Sequence, residues 1–148
     1  MSIRTPLTAK LAVVDTATTG TITYPFYLDQ DVDGVAVSLF GTTFSGTSYP
    51  SADVYLQTTP DGGTTWIDVA HFAQMTTGIA ATASLWAFVG INTNSYAGAR
   101  HDGGLSAGAV WGALLSTYNR VKIVYGGTIG SNSGLTISVY ENSQSSHQ

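Results

Sequence analysis

Three stretches of this chain carry the residue types from which proteins build ligand-holding or reactive sites. In the first, Asp29-Gln30-Asp31-Val32-Asp33-Gly34, carboxylates occupy alternate positions and a glycine follows. This matches the first half of a calcium loop, whose alternating oxygens wrap a hard cation while the glycine permits a sharp turn. Asp29, Asp31 and Asp33 are the candidate ligands. The position where a closing bidentate Glu belongs is Phe40, and the flanking residues have strand chemistry. An acidic turn between two strands is the preferred reading, and no metal is expected.

In the second, Gly104-Leu105-Ser106-Ala107-Gly108 follows His101-Asp102 and has the G-x-S-x-G form of a nucleophile elbow. Such an elbow needs a strand before the serine and a helix after it, on an α/β sheet. The surrounding Gly, Ala, Asn and Ser give neither element. His71, His101 and His147 lack metal-ligand spacing and have no close Cys or Glu partners. His71 is expected on a strand at a partly exposed position. No carboxylate pair falls where strands would bring it together predictably, so no catalytic residue and no cofactor is expected. Trp66, Trp86, Trp111 and eight tyrosines remain. Core packing is expected for Trp66 and Trp86, and a subunit contact for Trp111 in its Gly-rich loop.

The third stretch is Thr59-Pro60-Asp61-Gly62-Gly63-Thr64-Thr65-Trp66. Pro60 fixes φ near the value an early turn position needs, Asp61 accepts from nearby backbone N–H groups, and the glycines take positive φ without a Cβ penalty. The turn joins two runs of strand composition, Asp53–Thr59 and Trp66–Phe72, into a β-hairpin. It resembles the Asp-box, the S/T-x-D-x-G-x-T-W turn repeated around sialidase propellers, in which the Asp ties the turn and the Trp packs beneath it. The motif occurs once here, without blade repeats or an arginine cluster. The resemblance therefore implies a structural role for Pro60, Asp61, Gly62, Gly63 and Trp66.

The elements that would position these groups are strands. Lys10–Val14 is a short candidate strand, and Thr21–Leu28 is β-rich with Pro25 marking an edge or bulge. Val35–Phe40 alternates, with Val35, Val37 and Leu39 on one face and Ala36, Ser38 and Phe40 on the other. Val54 and Leu56 are expected inward on the hairpin, where Ile67 and Val69 compete with Trp66 for the core. Ser84–Val89, Arg120–Tyr125 and Leu135–Tyr140 complete the set, with Val121, Ile123 and Tyr125 sharing a face. Gly41–Pro50 and Gly126–Gly134 read as loops, and Ala113–Tyr118 as a single helical turn. The expectation is an all-β, single-domain β-sandwich over residues 21–141, jelly-roll or immunoglobulin-like. An N-terminal arm (1–20), a long Gly/Ala-rich loop at about 92–112 and a polar tail (142–148) complete the expected layout.

Composition narrows the classes. The 148 residues suit one domain that buries roughly two-thirds of its unfolded surface. Charged residues make up 9%, against about 25% in an ordinary soluble domain. Mean hydropathy is +0.14. Such a surface is easiest to understand if copies of the chain or other partners cover much of it. Five basic and nine acidic residues give −4 with no basic cluster, which disfavours nucleic acid. Zero cysteines exclude a disulfide framework and a thiolate metal site. Leu11–Val14 is too short for a signal segment and no run suits a membrane span, so assembly in a cytoplasm and no membrane partner are expected.

The order of these signals resembles a group of small tailed-phage virion proteins. Thr19–Thr23 (TGTIT) opens onto a strand, then an acidic turn and the alternating strand Gly34–Phe40 follow. Val54–Val69, with D-G-G-T-T-W-I-D-V, and Arg120–Thr128 (RVKIVYGGT) complete the pattern across about residues 19–140. Residues 73–118 depart from it. The resemblance implies a non-enzymatic β-sandwich on the phage head, a decoration (cement) protein bound to the major capsid protein and to itself as a homo-oligomer such as a trimer. Arg4, Leu7 and Leu11 in the arm, with Tyr96, Arg100, Leu105 and Trp111 in the loop, are the interface candidates. A head-fibre, tail or baseplate component and a carbohydrate-binding module are the alternatives.

Overall fold

A computed structural model describes residues 8–16, 19–29, 32–43, 46–76, 84–90, 102–111, 115–130 and 134–143. Its strands are β1 (Thr8–Asp15), β2 (Thr21–Tyr27), β3 (Val32–Thr43), β4 (Gly46–Thr58), β5 (Ile67–His71), β6 (Met75–Thr76), β7 (Ser84–Gly90), β8 (Tyr118–Ile129) and β9 (Gly134–Ser143). They form two antiparallel sheets packed together: a first sheet ordered β1-β9-β3-β7 and a second ordered β2-β8-β4-β5, with β6 also paired to β4. The chain is an all-β sandwich, as the alternation in its strands implied. No helix occurs among the described residues.

The period of two dictates the core. Val35, Val37 and Leu39 of β3 and Leu135, Ile137 and Val139 of β9 are buried, as are Val54 and Leu56 of β4 and Val121 and Ile123 of β8. Each such side chain contributes about 1.5–3 kcal/mol on burial. Pro25 lies on β2, an edge strand, where a missing backbone donor is tolerated.

Several loop expectations are revised. Thr8–Asp15, expected as an arm with a short strand at Lys10–Val14, pairs along β9 as an edge of the first sheet. Gly41–Pro50, expected as a loop, is strand through Thr43 and again from Gly46. Gly46 allows this because an added Cβ would lie 2.0 Å from the Thr128 carbonyl oxygen, so only glycine lets β4 approach β8 there. Gly126–Gly134 likewise begins as strand, since β8 continues to Ile129. Of the expected helical turn, residues 113 and 114 lie outside the described residues, and 115–118 are not helical.

Asp15, at the end of β1, fastens the two sheets. Its buried carboxylate accepts from Tyr24 Oη of β2 at 3.0 Å and from Tyr125 Oη of β8 at 2.5 Å. Burial, then the Asp15 hydrogen bond, pushes the Tyr24 phenol up to about 12 from 10.0. The same two causes raise Tyr125 further. A phenol raised in the fold contributes stability that is whole below its ordinary value and is lost as pH rises through the folded value. Stability is therefore expected to fall between about pH 10 and 12, with Tyr24 ionising above the ordinary tyrosine value in an absorbance titration. Asp15→Ala, which strands these donors, is expected to cost about 1–3 kcal/mol in urea unfolding and to move Tyr24 ionisation down.

Candidate functional site

Outward residues of the second sheet form cross-strand rows. Arg120 of β8 pairs with Pro25 of β2 and Gln57 of β4, which pairs with Asp68 of β5. The next row runs Thr23, Lys122, Tyr55 and His71. A bulge between Leu56 and Gln57 turns Gln57 and Asp68 together. Polar side chains on a sheet face ordinarily point into water, yet Gln57 and Asp68 are fully buried. The segment 102–111 folds over them.

That segment is bound at several points. Trp111 N donates to Val69 O at 2.8 Å, His71 N to Ala109 O at 2.9 Å, and Gly108 N to His71 O at 2.8 Å, with an isolated bridge between Ala70 and Val110. It thus extends the second sheet beyond β5. Leu105 N donates to Asp68 Oδ2 at 3.1 Å. Gln57 Nε2 donates to Asp68 Oδ1 at 2.7 Å and to Asp102 Oδ1 at 2.6 Å, while Gln57 Oε1 accepts from Arg120 Nε at 2.7 Å. Asp102 also accepts from Lys122 Nζ at 2.5 Å and from an Arg120 terminal nitrogen at 3.2 Å. Burial alone would raise the Asp102 carboxyl, but Lys122, Gln57 and Arg120 outweigh it and hold it below its ordinary range. This fastening is whole above the usual aspartate range and is lost as pH falls through the lowered value.

His71 is buried, where a partly exposed position was expected, because segment 102–111 covers it. Its Nδ1 lies 2.7 Å from Leu105 O and its Nε2 3.1 Å from Asp53 Oδ1, and its ring stacks on Tyr55 at 3.9 Å. Gln74 Nε2 donates to the other Asp53 oxygen at 2.9 Å. A catalytic histidine needs one ring nitrogen open toward a nucleophile or substrate. Here both nitrogens face oxygens of the same chain.

The Asp-box-like turn is tied as its letters imply. Asp61 Oδ1 accepts from Thr64 N at 3.1 Å, Thr65 N at 2.7 Å and Thr59 Oγ1 at 2.9 Å. Thr59 Oγ1 in turn accepts from Gly63 N at 2.8 Å. The Thr65 backbone N–H leads the groups that lower the Asp61 carboxyl. Gly62 and Gly63 have φ of +74° and +109°, and Pro60 is exposed. Trp66 does not enter the sandwich core as expected. It is half-buried on the outer side, edge-on to Tyr118 at 5.4 Å, with the Arg120 guanidinium 4.0 Å over its ring. Tyr118 stacks on Tyr27 at 4.9 Å, and Tyr27 is 66% exposed.

The other predicted residues are dispersed. Asp29 is ion-paired with Lys10 at 3.0 Å, and Lys10 also meets the buried Glu141 at 3.0 Å. Lys10 holds the Asp29 carboxyl below its ordinary range. Asp31 and the side chain of Asp33 lie outside the described residues, and among those described no group of three candidate metal ligands occurs. Arg4, Leu7, Tyr96, Arg100, His101 and His147 also lie outside, as does the Trp86 side chain. Leu11 and Trp111 pack partly buried against the core, and Leu105 is buried beneath its own segment. Pairing of β1 with β9 turns Leu11 inward, the bond from Trp111 N to Val69 O sets Trp111 beside β5, and Leu105 is held by Asp68 and His71. Ser106 is exposed in a turn, and the described residues just before it, 102–105, are not strand.

Sequence reasoning missed the cluster of Gln57, Asp68, Asp102, Arg120 and Lys122. The available signal was that Arg120 and Lys122 alternate with Val121 and Ile123, which puts both cations on one outer face. Compared with protein families, curated proteins and solved structures, the chain gives no match.

If Asp102 anchors the segment through Lys122, the two residues are coupled. A double-mutant cycle with Asp102→Ala and Lys122→Ala is expected to show an interaction of about 0.5 kcal/mol or more in thermal or urea unfolding, where additive changes would deny the link.

Proposed function

We propose that this chain is a non-enzymatic structural protein of a tailed-phage virion, a capsid decoration protein that braces the head by adding contact area between capsid subunits and copies of itself. The observation that carries this reading is the internal use of charge. Asp102 holds Lys122 and Arg120, Lys10 holds Asp29 and Glu141, and Asp53 holds His71. Such pairing ties these groups to one another and braces the scaffold. The three described cations are ion-paired and form no stripe that would track a phosphate backbone. Low overall charge and the resemblance over residues 19–140 supply the virion context.

A second reading, a glycan-contacting head-fibre, tail or baseplate component, is favoured by one feature. The outer face of the Tyr27 ring is exposed while its inner side is held flat by Tyr118, a geometry suited to stacking on a sugar ring. Quantitative mass spectrometry of purified virions separates the two. The decoration reading predicts a copy number near that of the major capsid protein. A handful of copies per particle would contradict it and favour the second reading.

A further inference from the structure

The outward strip of β2 differs from the rest of its sheet. Thr21, Thr23, Pro25 and Tyr27 are all exposed and uncharged. The cations beside them on β8, Arg120 and Lys122, are bound on the side away from β2, to Gln57 and Asp102. β2 also ends the sheet, and among the described residues no strand pairs with its other edge. Tyr125 N donates to Gly20 O at 2.9 Å and Leu28 N to Thr117 O at 2.8 Å. In an antiparallel pair the bonded positions alternate, so the even-numbered residues between these two carry the bonds to β8. The backbone groups of Thr21, Thr23, Pro25 and Tyr27 therefore turn to the free edge. One strip thus presents the Tyr27 ring, held flat against Tyr118 at 4.9 Å, with the Pro25 ring, two threonine side chains and a line of carbonyls and N–H groups.

We propose that this strip binds an uncharged pyranose oligosaccharide, with one sugar ring on the open face of Tyr27 and the chain running along the β2 edge toward Thr23. A pyranose offers C–H bonds on its face, which pack on an aromatic ring, and hydroxyls around its rim, which both donate and accept. The strip supplies the partner of each side by side. Its size suits such a ligand. From Thr21 to Tyr27, six rises of about 3.4 Å on a strand about 4.8 Å wide give roughly 20 by 5 Å, about a tenth of the ~1,000 Å² a specific protein partner needs. A protein spreading further would cover and desolvate the ion pairs of Asp102 with Lys122 and Arg120. An added peptide strand would meet Pro25, which has no N–H to give at that edge. A nucleotide or an acidic sugar brings negative charge, and the three described cations are already ion-paired.

The inference rests on the glycan reading of Tyr27 given above and not on copy number in a virion. The two are tested apart: either copy number leaves the binding result standing, and failure to bind leaves the decoration reading standing. Saturation-transfer NMR on the isolated full chain uses cellohexaose, chitohexaose and maltohexaose as probes, with sialyllactose as the charged control. Transfer to the ring C–H protons of at least one neutral probe is expected, with Kd on the order of 1 mM, since the site is shallow and one strand wide. Tyr27→Ala, at an exposed position, is expected to weaken binding about tenfold or more with melting temperature retained, while Tyr27→Phe keeps it. Val14→Ser, on the first sheet, is expected to leave binding unchanged. No transfer to any neutral probe at about 10 mM, sialyllactose bound as well as the best neutral probe, or a folded Tyr27→Ala that binds as the parent does would each overturn the proposal.

Discussion

The meeting of the Asp102 carboxylate with Gln57, Lys122 and Arg120 decides how the second sheet is finished. A chain with 9% charged residues has few ions to spend, and it concentrates two cations, two carboxylates and an amide on one sheet face. Leaving Gln57 and Asp68 buried without partners would cost about 1–3 kcal/mol each, so the segment that brings Asp102 and the Leu105 amide is required by what it covers. The fastening is reciprocal. The sheet supplies Lys122 and Arg120 to hold the segment, and the segment supplies acceptors and donors that make the buried row tolerable.

This accounts for the asymmetry of the molecule. Charge gathered on the second sheet and at the Lys10, Asp29 and Glu141 cluster leaves the first sheet's outer face neutral. The Asp-box-like turn contributes to the finished side, since Gly63 sits so close to Tyr118 that an added Cβ would lie 3.1 Å from its ring. The turn packs over Tyr118 and Trp66 and fixes the end of the β4–β5 hairpin.

The fold was legible wherever a strand buries one face. Val35 to Phe40 and Arg120 to Tyr125 announce their inward residues by alternation, and the Pro60 to Gly63 turn by its letters. What was illegible has specific causes. Gly41–Pro50 looked like a loop because glycine is also what close strand approach demands, as at Gly46. Segment 102–111 shows no period because it is held by backbone bonds to β5 and by the carboxylates of Asp102 and Asp68, which leave no periodic trace in sequence. His71 and Trp66 were misplaced for the same reason: their burial depends on a segment and a cation distant in sequence. The proposed virion role rests on pattern resemblance and on the use of charge, which act at a different level from the packing that built the fold.

Native-state hydrogen exchange on the full chain tests the central claim, that segment 102–111 is an integral part of the second sheet. The account predicts that the amides of Leu105, Gly108 and Trp111 exchange about as slowly as that of His71 in β5, since they donate to Asp68, His71 O and Val69 O. Exchange of those three at the rate of an unstructured peptide, with β5 still protected, would contradict it.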